Sequence, residues 1–585
     1  MKNFRIWTTT AALLLSATYL RAIELMPVSE LKPGMHGTTY TVLKGTEIVP
    51  MDTEILGVAK NSLGPGLDLI IAKLVDPKTA LTGAVHGMSG SPLYINGKLV
   101  GALSRRIAFF EKDGHCGFTP IADMLDVNRM ANMRPVAAAP EPLLPMASVA
   151  KMLLPDAPQR VRAEMLGVPL TISGLSVEAW QKLCSAFGLA QPGAVAVAGG
   201  TGSPTAMQLT ANDLKPGAPI AAVMLTGSIS AAGTGTLTWR EGDNIVAFGH
   251  PMFGYGESAL PMGMAEIITT IASYERPFKM ANPGPVVGTV SEDRFSAIAG
   301  KVGPLPKTGT YHVKRTYSGE SRPDLDGTFA IHPLLSPIMM ATVIQATLYD
   351  QPATSRMFSF TVHGDVKFTG HTPLRLDGLY SGQDADLVFA LLKVVGPVQM
   401  LYAQRMELLK VESLDLSIDS NEKEKLWGIE SVVADRHTCK PGDTINVQVR
   451  LREALGGVTR KDFAVKLPMG LKSGSFTVRA SGSEELEEEM TRNGIEHAKD
   501  VEDMIRIYNG RRAQNVLYLQ LVGKSTGKVI AGRQMPALPA SVREVMESGN
   551  DSDTTMTLPE QIWQETSAEL PGMVTGKQEI QVGFK

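Results

Sequence analysis

Apolar and polar residues alternate with the period of half-buried strands over much of this chain, and turn residues punctuate the alternation at short intervals. Thr38 to Leu43, Glu54 to Val58 and Leu67 to Leu74 read as strands bounded by Gly and Pro turns. Asn96-Gly97, between Leu93 and Leu103, is a two-residue hairpin signal. Farther on, Val177 to Leu189 has helical spacing, and the chain returns to strand and turn chemistry from Ala194 to about residue 375. The apolar run Leu387 to Ala403 carries Lys393 and Pro397 and reads as a buried core helix rather than a bilayer span. Beyond residue 405, Leu414, Leu416 and Ile418 alternate with polar residues, as do Ile445, Val447, Val449 and Leu451.

These patterns divide the chain. Residues 1–22 have the order of a secretory signal: Lys2 and Arg5, an apolar stretch from Ile6 to Leu20, then Arg21 and Ala22. Residues 23–132 form a β-barrel module, and 133–159 a Pro- and Ala-rich linker. Residues 160–404 form a second β-rich module, 405–550 a β-sandwich-like domain with a helical insertion, and 551–585 a loosely ordered tail. Leu31-Lys32-Pro33-Gly34 recurs as Leu214-Lys215-Pro216-Gly217, each opening a β segment, but Lys440-Pro441-Gly442 is a third copy of the same turn chemistry. The echo therefore carries no weight by itself.

Composition narrows the function. With 585 residues, 44% hydrophobic and 20% charged, the chain is globular and long enough for several domains. The 56 Lys and Arg nearly balance 59 Asp and Glu, so no basic excess exists for a nucleic-acid partner. Three cysteines, Cys116, Cys184 and Cys439, allow at most one disulfide within the chain. Gly523-Lys524-Ser525 fails as a phosphate loop because Leu519 stands near where a Gly is required, and no histidine pairing closes a metal site. Neither a cofactor nor a metal is expected.

Two stretches remain. Gly87-Met88-Ser89-Gly90-Ser91-Pro92 surrounds a serine with glycines that free backbone N–H groups to face a developing oxyanion. Gly233-Thr234-Gly235-Thr236-Leu237-Thr238 leads through Gly242-Asp243 to Phe248-Gly249-His250-Pro251, which sets a histidine at the end of a buried strand. That ring is either a core histidine bonded to a carbonyl or the base for Ser89. His86 and His115 compete for that role, and Cys116 reads as a structural thiol.

Together with Gly97 to Ala102, these two motifs resemble the SpoIVB-type serine peptidase family of chymotrypsin-like two-barrel proteases. The resemblance implies a mostly β fold of two small barrels followed by the carboxyl-terminal sandwich. It implies Ser89 as nucleophile, His250 as base, the N–H groups of Gly87 and Ser89 as oxyanion hole, and Asp76 as acid, with Asp68 and Asp243 as rivals. The motif order differs from the family's, since Ser89 here precedes His250. The expected function is an exported, periplasmic or envelope-associated serine endopeptidase acting on protein or peptide substrates, itself included. The sandwich is expected to meet an envelope partner. A non-catalytic envelope scaffold with the same fold is the alternative.

Overall fold

The computed structural model describes residues 23–79, 82–107, 113–133, 164–186, 195–198, 208–273, 276–349, 357–383, 386–404, 406–454, 456–469, 475–487, 498–524, 528–530, 533–535, 539, 541–542, 555–557 and 560–584. The expected signal segment and most of the Pro-rich linker lie outside them.

The first barrel consists of β1 (His36–Val42), β2 (Ile48–Gly64), β3 (Leu67–Leu74), β4 (Pro92–Ile95), β5 (Lys98–Arg106) and β6 (His115–Pro120). Pairing runs β1-β2-β3-β6-β5-β4 and returns to β1, so the sheet closes and leaves no continuous open edge. Alternate residues point inward: Met51, Thr53 and Ile55 of β2 are buried, and they pack with Ile70, Leu93, Leu103 and Phe118. The Asn96-Gly97 turn has positive φ at both residues (52° and 79°), the backbone that a tight hairpin demands.

After α1 (Ile121–Met133), the described chain resumes with the two-residue β7 (Glu164–Met165), β8 (Pro169–Ser173), α2 (Val177–Ala186) and β9 (Val195–Ala198). The second barrel follows, built from β10 (Pro219–Gly227), β11 (Ser230–Glu241), β12 (Asn244–Ala247), β13 (Gly256–Ile271), β14 (Phe278–Arg294) and β15 (Ala297–Val302). Its pairings run β10-β11-β12-β15-β14-β13 and return to β10. This is the ring order of the first barrel, strand for strand. Each ring opens on a Lys-Pro-Gly turn: Gly34 (φ 83°) stands two residues before β1 and Gly217 (φ 96°) two before β10. The third copy does the same before the strand Thr444–Glu453, with Gly442 at φ 85°. The turn is generic, yet in the barrels it marks equivalent positions.

The second barrel's sheet continues through β16 (Thr308–Tyr317) and β17 (Glu320–Ala330) to β18 (Met357–Phe368), β19 (Leu374–Arg375), β20 (Gly378–Gln383) and β21 (Val411–Asn421). Helices α3 (Leu335–Tyr349) and α4 (Leu387–Ala403) share its core with Trp180 and Leu183 of α2. The core helix expected at Leu387 to Ala403 is α4. Among the described residues, no helix is long and apolar enough to cross a membrane.

Among the described residues, the carboxyl-terminal domain has two main sheets, of four and five strands, around Trp427, Ile445, Val449, Phe476, Leu519 and Val582, and a small third sheet of three short strands. Its helix α5 (Val501–Asn509) is capped by Asp500, which accepts the Asp503 N–H at 2.7 Å. The buried face of α5 joins the core under α3 and α4. Two expectations need correction. The strand with Leu414, Leu416 and Ile418, read into the sandwich of residues 405–550, is β21, which pairs with β16 and β18 and buries its apolar face in the second module's core. The segment read as a tail supplies strands Glu560–Glu569, Met573–Thr575 and Lys577–Phe584, which complete both sheets. Its polar alternation faces solvent on one side while Val574 and Val582 enter the core.

Deleting residues 560–584 removes strands from both sheets and uncovers their shared core. The expected outcome is loss of the cooperative melting transition of this domain, read by circular dichroism. Unchanged melting would contradict the strand assignment.

Candidate active site

The two motifs lie on equivalent corners of the two rings. Ser89 sits in the connection between the third and fourth strands of the first barrel, and His250 in the connection between the third and fourth strands of the second. The barrels meet there. Gly90 has φ 94°, and a methyl group on it would overlap the Thr236 carbonyl and stand 2.6 Å from the Phe248 nitrogen, so only glycine fits. From β11, the Thr236 N–H donates to the Ser89 carbonyl at 2.8 Å, its hydroxyl to the Gly87 carbonyl at 3.1 Å, and the Thr238 hydroxyl to the Gly90 carbonyl at 2.7 Å. The alternating Gly and Thr of the second motif thus rivet the serine turn to the histidine barrel. In return, Thr119 of β6 donates to the Gly249 carbonyl at 2.6 Å.

The histidine turn is strained and braced. Phe248 takes φ 71°, a left-handed conformation that costs a bulky residue roughly 1–2 kcal/mol. Its ring is fully buried beneath Gly235. After His250, the N–H groups of Met252, Phe253 and Gly254 all donate to the Asp293 carboxylate, at 2.7, 2.7 and 2.9 Å. Asp293, at the end of β14, is buried, and that burial raises its pKa to about 6 against the pull of these donors. The sequence reading missed this residue, because Glu292-Asp293-Arg294 looks like an ordinary charged turn.

Ser89 is 0% and His250 1% exposed. The His250 Nδ1–H donates to the Pro251 carbonyl at 2.7 Å, which fixes the neutral tautomer with its lone pair on Nε2, the form a general base requires. Burial holds the ring at about 4, with the Pro251 and Leu166 carbonyls opposing that shift. Neither Ser89 Oγ nor His250 Nε2 has a hydrogen-bond partner, so the bond expected between them is not formed here. On the serine turn, the N–H groups of Met88, Gly90 and Ser91 go to Val85, Leu103 and Met88 carbonyls. Those of Gly87 and Ser89 meet no acceptor among the described residues.

The acid expected at Asp76 is not assembled. Its carboxylate accepts the Lys78 N–H at 2.8 Å and caps its own turn, while the position facing His250 Nδ1 belongs to Pro251. The rivals do no better: Asp68 accepts the Asn61 N–H, and Asp243 is exposed in the β11–β12 hairpin. His86 is buried, turned toward the Gly167 carbonyl, and held at about 4 mainly by burial. Cys116 is a buried free thiol that donates to the Ala72 carbonyl, and burial pushes its pKa up, which makes it inert. Lys279 is also buried. Its stem passes 3.2 Å from the methyl position of Gly87, its Nζ donates to the Thr41 hydroxyl at 2.8 Å, and burial lowers it to about 7. Among the described residues, no group of His, Cys, Asp or Glu could hold a metal ion.

Residues 3–125 match the family model of the SpoIVB peptidase S55. Over that stretch the chain is similar to the SpoIVB serine peptidases, which supports a serine peptidase. It spans the Ser89 barrel and stops before His250, which the motif resemblance had joined to it. No curated protein and no solved structure matches the chain.

Buried histidines give this peptidase a pH signature. His86, His250 and His332 are each lowered to about 4 by burial, so between the ordinary value of 6.5 and about 4 the unfolded chain binds protons that the folded one refuses. The histidines' contribution to stability is therefore full above pH 6.5 and is lost as pH falls toward 4. Asp293, raised to about 6, offsets part of the loss by taking up a proton on the folded side. Urea midpoints at pH 7.5, 5.5 and 4.5 should decline in that order, and a His250→Gln, His86→Gln double variant should flatten the decline.

Proposed function

We propose that the chain is an exported serine endopeptidase in which Ser89 attacks the scissile carbonyl and His250 takes its proton. The supporting observation is the meeting of the two turns: Gly90 touches the Phe248 backbone, which places the Ser89 and His250 corners side by side with Nε2 unprotonated. The N–H groups of Gly87 and Ser89 form the oxyanion hole, since their neighbours' donors are spent and theirs are not. Substrates are proteins or peptides, the chain's own segments included. The amino-terminal signal directs it across the membrane to the periplasm or envelope, where the sandwich domain meets an envelope partner.

Asp293 is a positioning residue of this site: it holds the turn that carries His250, while the Pro251 carbonyl orients the ring. A neutral carbonyl stabilises an imidazolium less than a carboxylate would. The non-catalytic scaffold reading draws on the missing Ser89 to His250 bond, and labelling decides between the two: a fluorophosphonate that never modifies Ser89 supports the scaffold.

Ser89→Ala and His250→Ala should each lower kcat by about 10⁴ to 10⁶ on any cleaved substrate without unfolding the protein. Peptidase activity surviving in Ser89→Ala would end the proposal. Among Asp76→Asn, Asp68→Asn, Asp243→Asn and Asp293→Asn measured together, Asp293→Asn should show the large loss. A collapse confined to Asp76→Asn would restore Asp76 as the acid.

A further inference from the structure

The nucleophile and base of a working peptidase must be reachable, yet here both are sealed, and a short stretch of the chain itself seals them. In the first barrel, β5 pairs with β4 only from Lys98 to Ala102, because β4 begins at Pro92, immediately after the serine turn. Leu103 is bonded to Gly90 and Ser91 of the serine turn, so the edge of β5 that neither β4 nor this turn satisfies begins at Ser104. An open edge next to a nucleophile is where an extended peptide adds as a strand. Residues 164–166 take that place: Arg105 pairs with Met165, Arg106 with Glu164, and the Leu166 N–H donates to the Ser104 carbonyl at 2.9 Å.

From there the segment crosses the site. The Leu166 side chain is fully buried in the first barrel's core cluster, which includes Val85 and Met88 from the serine loop. Val168 is buried in the core of the second barrel. Between them, the Leu166 carbonyl faces the His250 ring and the Gly167 carbonyl faces His86, while Pro169 Cγ lies 3.2 Å from the methyl position of Gly87. Residues 166–169 therefore cover the Gly87 and Met88 side of the serine turn, opposite the flank that Gly90 packs on Thr236 and Phe248. The Leu166 carbonyl nevertheless faces the base and does not bond to the free N–H groups of Gly87 and Ser89, so the segment lies in the cleft without being set up for attack.

We infer that the β5 edge from Ser104 to Arg106, together with the apolar pocket filled by Leu166, is the docking site for an extended peptide substrate with a large aliphatic side chain. Segment Glu164–Pro169 occupies that site as a resident, unproductive strand. The inference rests on the peptidase reading and adds its regulation: substrate enters only when the resident strand leaves. Apparent affinity and reactivity are then reduced by the fraction of molecules whose strand is out.

The test measures two things on the full-length protein: the rate of fluorophosphonate labelling at Ser89, and the binding of a fluorescein-tagged peptide with the sequence of residues 162–170, by anisotropy. Leu166→Gly weakens the resident strand. It should label at least about tenfold faster than the parent and bind the peptide, whereas a peptide with Asp in place of its Leu should not bind. A thermal melt shows whether Leu166→Gly has kept its fold. If it has not, a double variant with Arg106→Cys and Glu164→Cys, whose positions pair across the two strands, pins the segment by a disulfide. Labelling should then be slow when oxidised and recover on reduction. Equal labelling and equal peptide binding in parent and folded Leu166→Gly, or equal labelling of the oxidised and reduced double variant, overturns the inference and leaves the peptidase reading intact. Peptide binding by Leu166→Gly with no labelling of Ser89 in any form keeps the docking site and removes the peptidase.

Discussion

The contact of Gly90 with the Thr236 and Phe248 backbones is the constraint on which the rest of this molecule depends. The two rings are closed along most of their strands and meet largely through the connections between strands, and such connections bring unpaired backbone groups with them. The structure resolves this by placing glycine where the serine turn touches the other barrel and letting a neighbouring strand satisfy the turn's carbonyls. Thr236 and Thr238 supply hydroxyl donors and Thr236 also a backbone donor, while Gly235 leaves room for the Phe248 ring. The contact that holds the barrels together is also the one that positions the chemistry.

That dual use explains which parts of the site could be read from the sequence. Glycines flanking Ser89 and the run of Gly and Thr before His250 are local signals, because backbone geometry at those positions admits few other residues. The strands at Leu67–Leu74 and the helix at Leu387–Ala403 were equally legible, since periodicity states directly which face is buried. Asp293 was not legible. A carboxylate that accepts three backbone N–H groups from a loop some forty residues away leaves no mark on its own neighbourhood. Asp76 drew attention by its nearness to Ser89 in sequence and its Pro neighbour, and those features belong to a turn cap. The final strands were hidden for a related reason: their inward residues are few and separated by Glu and Gln, so the alternation resembles a polar tail until the sheets that receive them are known.

The equal ring order of the two barrels bears on the arrangement of the motifs. Each ring offers one corner between its third and fourth strands, and the barrels present these corners to each other. With such near-equivalence, a triad-type site is indifferent to which barrel comes first, because the requirement is spatial. The match that covers residues 3–125 and ends short of His250 fits this: one barrel carries the recognisable serine turn, and its complement arrives later in the chain.

The separation of the two corners along the chain also times the appearance of activity. A polypeptide emerging at about 5–20 residues per second exposes the Ser89 barrel roughly 10 to 30 s before the His250 turn exists, and β13 to β15 must follow before the second ring can close. On the proposed peptidase reading, Ser89 has no base over that interval, and the first barrel stands alone with an open strand edge beside it. Segment Glu164–Pro169 is made before the second barrel is, so it is at hand to pair with β5 by the time His250 emerges. On that reading a nascent chain comes into being closed, with neighbouring unfolded chains kept out of its cleft from the first moment it could cut them.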